Sequence, residues 1–86
     1  MCTMLDKKVY NVFKLIPRNG INIKDLKRSI INNYNGEYIF SSFYSFEELL
    51  ETNILIGRLK YENDTLYMTD RGQNYLEKLK TICEQV

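Results

Sequence analysis

The chain has 86 residues, of which 44% are hydrophobic and 27% are charged, and its formal net charge is +1. This length suits one domain over residues 1–86, and the composition is typical of a folded soluble protein rather than a disordered chain. No apolar run approaches the roughly 20 residues of a membrane span, and no secretory signal is visible, so we expect a cytoplasmic protein without a membrane partner.

The charged residues are unevenly distributed along the chain. Residues 1–36 carry seven basic and two acidic side chains, whereas residues 37–56 carry four carboxylates and no base. The remaining thirty residues are balanced, with five of each sign. The folded domain is therefore expected to have a basic face and an acidic face.

Residues that commonly perform catalysis or bind metals are sparse. The chain has no histidine, and its two cysteines, Cys2 and Cys83, lack the closely spaced partners of a zinc site. Its four glycines are isolated and form no phosphate-binding loop. We therefore expect a binding protein that is not an enzyme and that uses no metal or cofactor. The cysteines are interpreted as inert thiols of a reducing compartment, with a bridge between them as the alternative.

The first predicted helix covers about residues 4–16. Apolar residues recur there at the helical period, and the polar residues, including Lys8 and Asn11, fall on the opposite face. Thr3 is its predicted N-cap, and Pro17 is expected to end it.

A short edge strand is predicted around Asn22, which also caps a second helix over about 23–34. The bases Lys24, Lys27 and Arg28 lie off the apolar stripe of that helix.

The third helix is predicted over about 42–52, with Asn53 as its end. Ser41 or Ser42 suits its N-cap, but Ser45 followed by Glu48 forms a capping box that places the start later, and the sequence leaves both open.

The apolar period then changes to two, which predicts a β-hairpin over about 56–68 with its turn around Asn63. Thr69 is a suitable N-cap for a fourth helix over about 70–85. The apolar stripe of this helix is longer than one small core requires, so it is interpreted as a dimer contact, with the first helix as the other candidate surface. Its members are Leu76, Leu79, Ile82, Cys83 and Val86.

The resulting α+β order, α-β-α-α-β-β-α in a single domain, resembles the winged helix-turn-helix family. The segment 48–56 resembles the end of a recognition helix that leads into the first strand of a wing. The segment 66–76 is similar to the family pattern of a threonine, two residues, a glycine and then aliphatic residues, carried here by Thr69 and Gly72.

The resemblance implies that the chain binds double-stranded DNA as a homodimer. It would act as a transcriptional repressor, or as the centromere-binding adaptor of a plasmid or phage partition system, in a prokaryotic or phage-infected cell. Helix three would enter the major groove, while bases beside it contact phosphates. The implied DNA-binding residues are Lys24, Lys27, Arg28, Ser41, Ser42, Tyr44, Ser45, Arg58, Lys60, Asn63 and Arg71.

The predicted recognition helix departs from the family pattern in its charge. It has no Arg, Lys, Asn or Gln before Asn53, so the side chains that read guanine and adenine in bidentate fashion are missing. Glu47, Glu48 and Glu51 would repel phosphates if they faced the duplex. We therefore expect phosphate and shape contacts to dominate any DNA binding. The alternative function is a protein-interaction winged helix whose acidic helix-three face captures a basic partner.

Overall fold

The computed structural model describes residues 2–34 and 45–84. These two segments form four helices and a three-stranded antiparallel sheet, which is an α+β arrangement. In chain order the elements are α1 (Met4–Phe13), β1 (Ile21–Asn22), α2 (Ile23–Tyr34), α3 (Phe46–Ile56), β2 (Leu59–Glu62), β3 (Thr65–Met68) and α4 (Asp70–Cys83). None of the helices in these segments is both long and apolar enough to cross a membrane.

Helix α1 begins at a capping box. The Asp6 amide donates to Thr3 Oγ1 at 3.0 Å, and the Thr3 amide donates to Asp6 Oδ2 at 3.2 Å. The helix ends at Phe13, earlier than the predicted residue 16. The amide of Ile16 bonds the Phe13 carbonyl at 3.0 Å in a tighter turn, because the proline that follows disfavours helical backbone at the preceding residue.

The bounds of α3 differ at both ends from the prediction of 42–52. Ser45 is the N-cap, and its hydroxyl accepts a hydrogen bond from the Glu48 amide at 3.2 Å, so the later of the two possible starts is adopted. Asn53 does not end the helix: it is buried, and its side chain donates to the Leu49 carbonyl at 2.7 Å. The helix ends instead before Gly57, whose φ of 93° lies in the left-handed region that glycine tolerates.

The sheet has the strand order β1-β3-β2. The hairpin strands begin at Leu59, three residues later than predicted, because Gly57 and Arg58 form the connection from α3. Leu59 pairs with Met68 and Glu62 with Thr65, and the turn between them uses positive φ angles at Asn63 and Asp64. Such angles suit asparagine and aspartate in the two-residue turns that join antiparallel strands.

Helix α4 packs against α1, and a disulfide joins the chain just before α1 to the end of α4. Thr69 caps α4 by accepting from the Gly72 amide at 3.1 Å, and its hydroxyl donates to the Gly57 carbonyl at 2.6 Å. Cys2 and Cys83 form a disulfide with their Cα atoms 4.9 Å apart. The interpretation of these cysteines as inert thiols is therefore wrong, because the packing of α1 on α4 brings the two ends of the described chain together.

The hydrophobic core lies between the helices and the inner face of the sheet. Its largest fully buried apolar side chains are Phe13, Phe46, Leu26, Ile30, Leu49, Leu66, Leu79 and Val12. The polar face predicted for α1 is partly wrong, since Lys8 and Asn11 are buried with exposed fractions of 4% and 6%. Helical periodicity assigns residues to faces of a helix, but only the tertiary packing decides how many faces are covered.

Candidate nucleic-acid interface

The three bases of α2 are exposed, but two of them contact carboxylates. Arg28 lies 3.6 Å from Asp25 of the same helix, and Lys27 lies 3.9 Å from Glu47 of α3. The ammonium of Lys27 also sits 5.8 Å from the centre of the Phe46 ring. Lys24 is exposed at the start of the helix, where its backbone amide donates to Asn22 Oδ1 at 2.8 Å. The α2 surface is thus basic, but its charge is reduced by neighbouring carboxylates.

The outer face of α3 is acidic and partly apolar. The exposed residues of α3 are Glu47, Glu48, Glu51, Thr52, Leu55 and Ile56, and Leu55 is 87% exposed. Ser45 uses its hydroxyl as the helix cap, which leaves it less available to read a base. The other predicted base-reading residues, Ser41, Ser42 and Tyr44, lie outside the described residues.

The tip of the hairpin lies beside the start of α2. The carbonyl of Asp64 accepts a hydrogen bond from the Ile23 amide at 2.9 Å, which places Asn63 at the same end of the domain as Lys24. Lys60 is exposed and lies 3.5 Å from Glu62. Tyr61 donates to Asp64 Oδ1 at 2.8 Å, and this hydrogen bond to the carboxylate raises the pKa of the tyrosine hydroxyl.

Arg58 and Arg71 lie at the opposite end of the hairpin from its tip. There the Thr69 amide donates to the Arg58 carbonyl at 3.2 Å, and the two arginines line a surface pocket of about 290 Å³. We call this the basic pocket, and its lining residues are Ile56, Arg58, Arg71, Asn74, Tyr75 and Lys78. The structure thus places the predicted DNA-binding bases in three locations: Lys24, Lys27 and Arg28 on α2, Lys60 on β2, and Arg58 and Arg71 in this pocket.

A second depression lies between the start of α2, α3 and the hairpin. It has a volume of about 340 Å³, and we call it the apolar groove; it is lined by Ile23, Glu47, Leu50, Glu51, Ile54, Tyr61 and Leu66. Neither the groove nor the contributions of Asn74 and Lys78 to the basic pocket were anticipated from the sequence. The spacing of Arg71, Asn74 and Lys78 could have predicted that these three side chains lie together on α4, because residues three, four and seven apart share one helix face.

The predicted dimer stripe on α4 is largely used within the protomer. Leu79 is only 1% exposed and belongs to the core, and Leu76 and Cys83 are partly buried against that core. Ile82 is half-buried, and Val86 lies outside the described residues. The assignment of Leu79 and Cys83 to a dimer contact is therefore wrong, because α1 covers this stripe and the disulfide occupies its end.

Comparison of the chain with protein-family models, with curated proteins and with solved structures finds no match.

Proposed function

We propose that the chain is a winged-helix domain that binds double-stranded DNA without performing catalysis. The observation that supports this most directly is the placement of the start of α2, a helix with three exposed bases, beside the tip of the β2–β3 hairpin. In a winged helix, the helix pair and the hairpin tip are the parts that approach the duplex. The strand order β1-β3-β2, with α2 and α3 between β1 and β2, is consistent with that architecture.

The proposed DNA binding relies on phosphates rather than on base edges. Lys24, Lys27 and Arg28 supply the cations, while Glu47, Glu48 and Glu51 keep α3 from a close approach to the major groove. One copy of the domain that binds in this way has low affinity, so two copies must bind the same duplex.

We propose a homodimer that uses the exposed Met4 and Leu5 of α1, which the disulfide places near Ile82 at the end of α4. A repressor and a partition adaptor both fit this mode of binding.

Replacing the three α2 bases by glutamine (K24Q/K27Q/R28Q) should weaken DNA binding by at least about tenfold at 50 mM salt. Each lost phosphate contact also removes a released counterion, so the slope of log affinity against log salt should become shallower by about two to three. Fluorescence anisotropy with a duplex from the chain's own upstream DNA measures both quantities.

A matched control is K7Q/K14Q/K80Q, which removes the same charge from α1, its C-terminal boundary and α4. This control should retain most of the affinity. Two results would contradict the proposal. The first is that micromolar wild-type protein shows no salt-sensitive DNA binding, and the second is that both triple variants lose the same amount of affinity.

A second candidate function is the capture of a basic amphipathic segment of another protein by the apolar groove. Glu47 and Glu51 line the groove beside Leu50, Ile54 and Leu66, so the groove offers both an apolar floor and negative charge. A helix with an apolar face and flanking lysines complements this arrangement.

Reversing both groove carboxylates (E47K/E51K) should weaken binding of such a segment about tenfold, because attraction becomes repulsion at the groove. The same change should leave DNA binding intact or strengthen it. Anisotropy of a labelled Leu/Lys amphipathic peptide and of the DNA duplex distinguishes the two functions. The variant E77K/E84K, with the same charge change on α4, is the control, and equal peptide affinity in both variants would exclude the groove.

A further inference from the structure

The basic pocket lies where the end of α3, the start of β2 and the outer face of α4 meet. Three of its six lining residues, Arg58, Arg71 and Lys78, are cationic, Asn74 adds an amide, and no carboxylate lines it. This contrasts with α2, where Arg28 and Lys27 contact carboxylates. The basic pocket thus gathers three cationic side chains with no lining carboxylate to offset them.

The two guanidinium groups of the pocket are held in place by the fold. The Arg58 guanidinium lies 3.6 Å from the centre of the Tyr75 ring, and its Nη1 donates to Oδ1 of the buried Asn53 at 3.3 Å. Arg71 Nη1 donates to the Ile56 carbonyl at the end of α3 at 2.7 Å. A guanidinium has five N–H donors, so each of these bonds leaves others for a ligand. Because the fold already restricts the rotamers of both arginines, ligand binding would cost little additional side-chain entropy.

Tyr75 is fixed in turn by the core. Its ring packs edge-on against the fully buried Phe13, with ring centres 6.0 Å apart. The position of Arg58 is thus coupled through Tyr75 to the packing of α4 on α1. This support makes the pocket a built feature of the fold rather than a chance meeting of surface side chains.

We propose that the basic pocket binds a phosphate group. Each planar guanidinium can donate two parallel N–H bonds to two oxygens of a phosphate, and Lys78 supplies a further mobile point charge. The volume of about 290 Å³ lies at the lower end of ligand pockets, which favours a small phosphorylated molecule or a single backbone phosphate over a larger ligand. The half-buried Tyr75 and the apolar Ile56 provide contact surface for the group that carries the phosphate.

This site does not depend on the proposed function, because the pocket lies at the base of the hairpin and shares no residue with α2, whose start lies at the hairpin tip. The phosphate has two possible sources, a free phosphorylated molecule or a nucleic-acid backbone. Pyrophosphate is a suitable probe, since it carries the same chemistry without a base or a sugar.

Isothermal titration of the full chain with pyrophosphate should show saturable binding that K78Q weakens on the order of tenfold, through loss of one charge-assisted contact. Lys78 is exposed, so this variant is expected to fold normally. The control K80Q removes the same charge from the same helix outside the pocket and should bind as the wild type does. A second variant, R71Q, should also weaken binding, and circular dichroism reports whether it remains folded.

Competition with a DNA duplex identifies the source of the phosphate. If pyrophosphate displaces the duplex and K78Q weakens both, a nucleic-acid backbone occupies the pocket. If the duplex stays bound while pyrophosphate binds, the pocket takes a free phosphorylated molecule, and this result stands even if K24Q/K27Q/R28Q has no effect on DNA. No pyrophosphate binding, or equal affinity in K78Q and K80Q, would overturn the proposal.

Discussion

Reduction of the Cys2–Cys83 disulfide is expected to lower the free energy of unfolding by about 4 kcal/mol. The bridge joins residues 81 positions apart, so it removes a large share of the conformational freedom of the unfolded chain. A domain of this size has a small core and a correspondingly small total stability, so this loss should unfold a substantial fraction of the protein.

Urea unfolding of the oxidised and the reduced protein, followed by circular dichroism, measures this difference. The double variant C2S/C83S should match the reduced wild type and should not respond to reductant. Alkylation of unreduced protein followed by mass spectrometry should find no free thiol. Two alkylated cysteines, or equal urea midpoints with and without reductant, would contradict the prediction. A reducing cytoplasm opens such bridges. A disulfide found by alkylation of protein taken directly from cells would therefore argue against the expected cytoplasmic location.

The second large effect is expected at Gly72, in the first turn of α4. A Cβ atom there would lie 2.6 Å from Met68 Sδ and well inside contact distance of the Arg58 carbonyl oxygen. That carbonyl is backbone and accepts from the Thr69 amide, so it cannot move without disturbing the base of the hairpin. We expect Gly72→Ala to destabilise the domain by about 2 kcal/mol or more, even though alanine is the better helix former.

Thermal or urea unfolding of Gly72→Ala tests this expectation. Asn74→Ala, at an exposed position two residues further along α4, is the matched control and should change stability by no more than about 0.5 kcal/mol. A Gly72→Ala protein as stable as the wild type would show that α4 can move away from the hairpin. The threonine and glycine of the segment 66–76 thus have a physical explanation: Thr69 caps α4, and Gly72 allows α4 to approach the chain at Arg58.

Local chemistry explains which elements were predictable from the sequence. The caps at Thr3 and Thr69 were anticipated because an N-cap bond involves residues only three positions apart. For α3 the sequence offered two starts, and Ser45 was correct because its hydroxyl satisfies the Glu48 amide. The predicted end of α3 at Asn53 was wrong. In sequence, an asparagine that ends a helix looks the same as a buried one inside it, and only the structure shows that the Asn53 side chain donates to the Leu49 carbonyl.

The sequence by itself determined the alternation of helix and strand, the basic α2 and the acidic α3, because periodicity and local charge depend on neighbours within one or two turns. Only the tertiary structure decided which side chains are buried, bonded or left exposed. It buried Lys8 and Asn11, placed Leu79 in the core and joined Cys2 to Cys83. It also distributed the predicted DNA-binding bases among the α2 surface, Lys60 on β2 and the basic pocket. These outcomes depend on contacts between residues far apart in the chain, which no local pattern encodes.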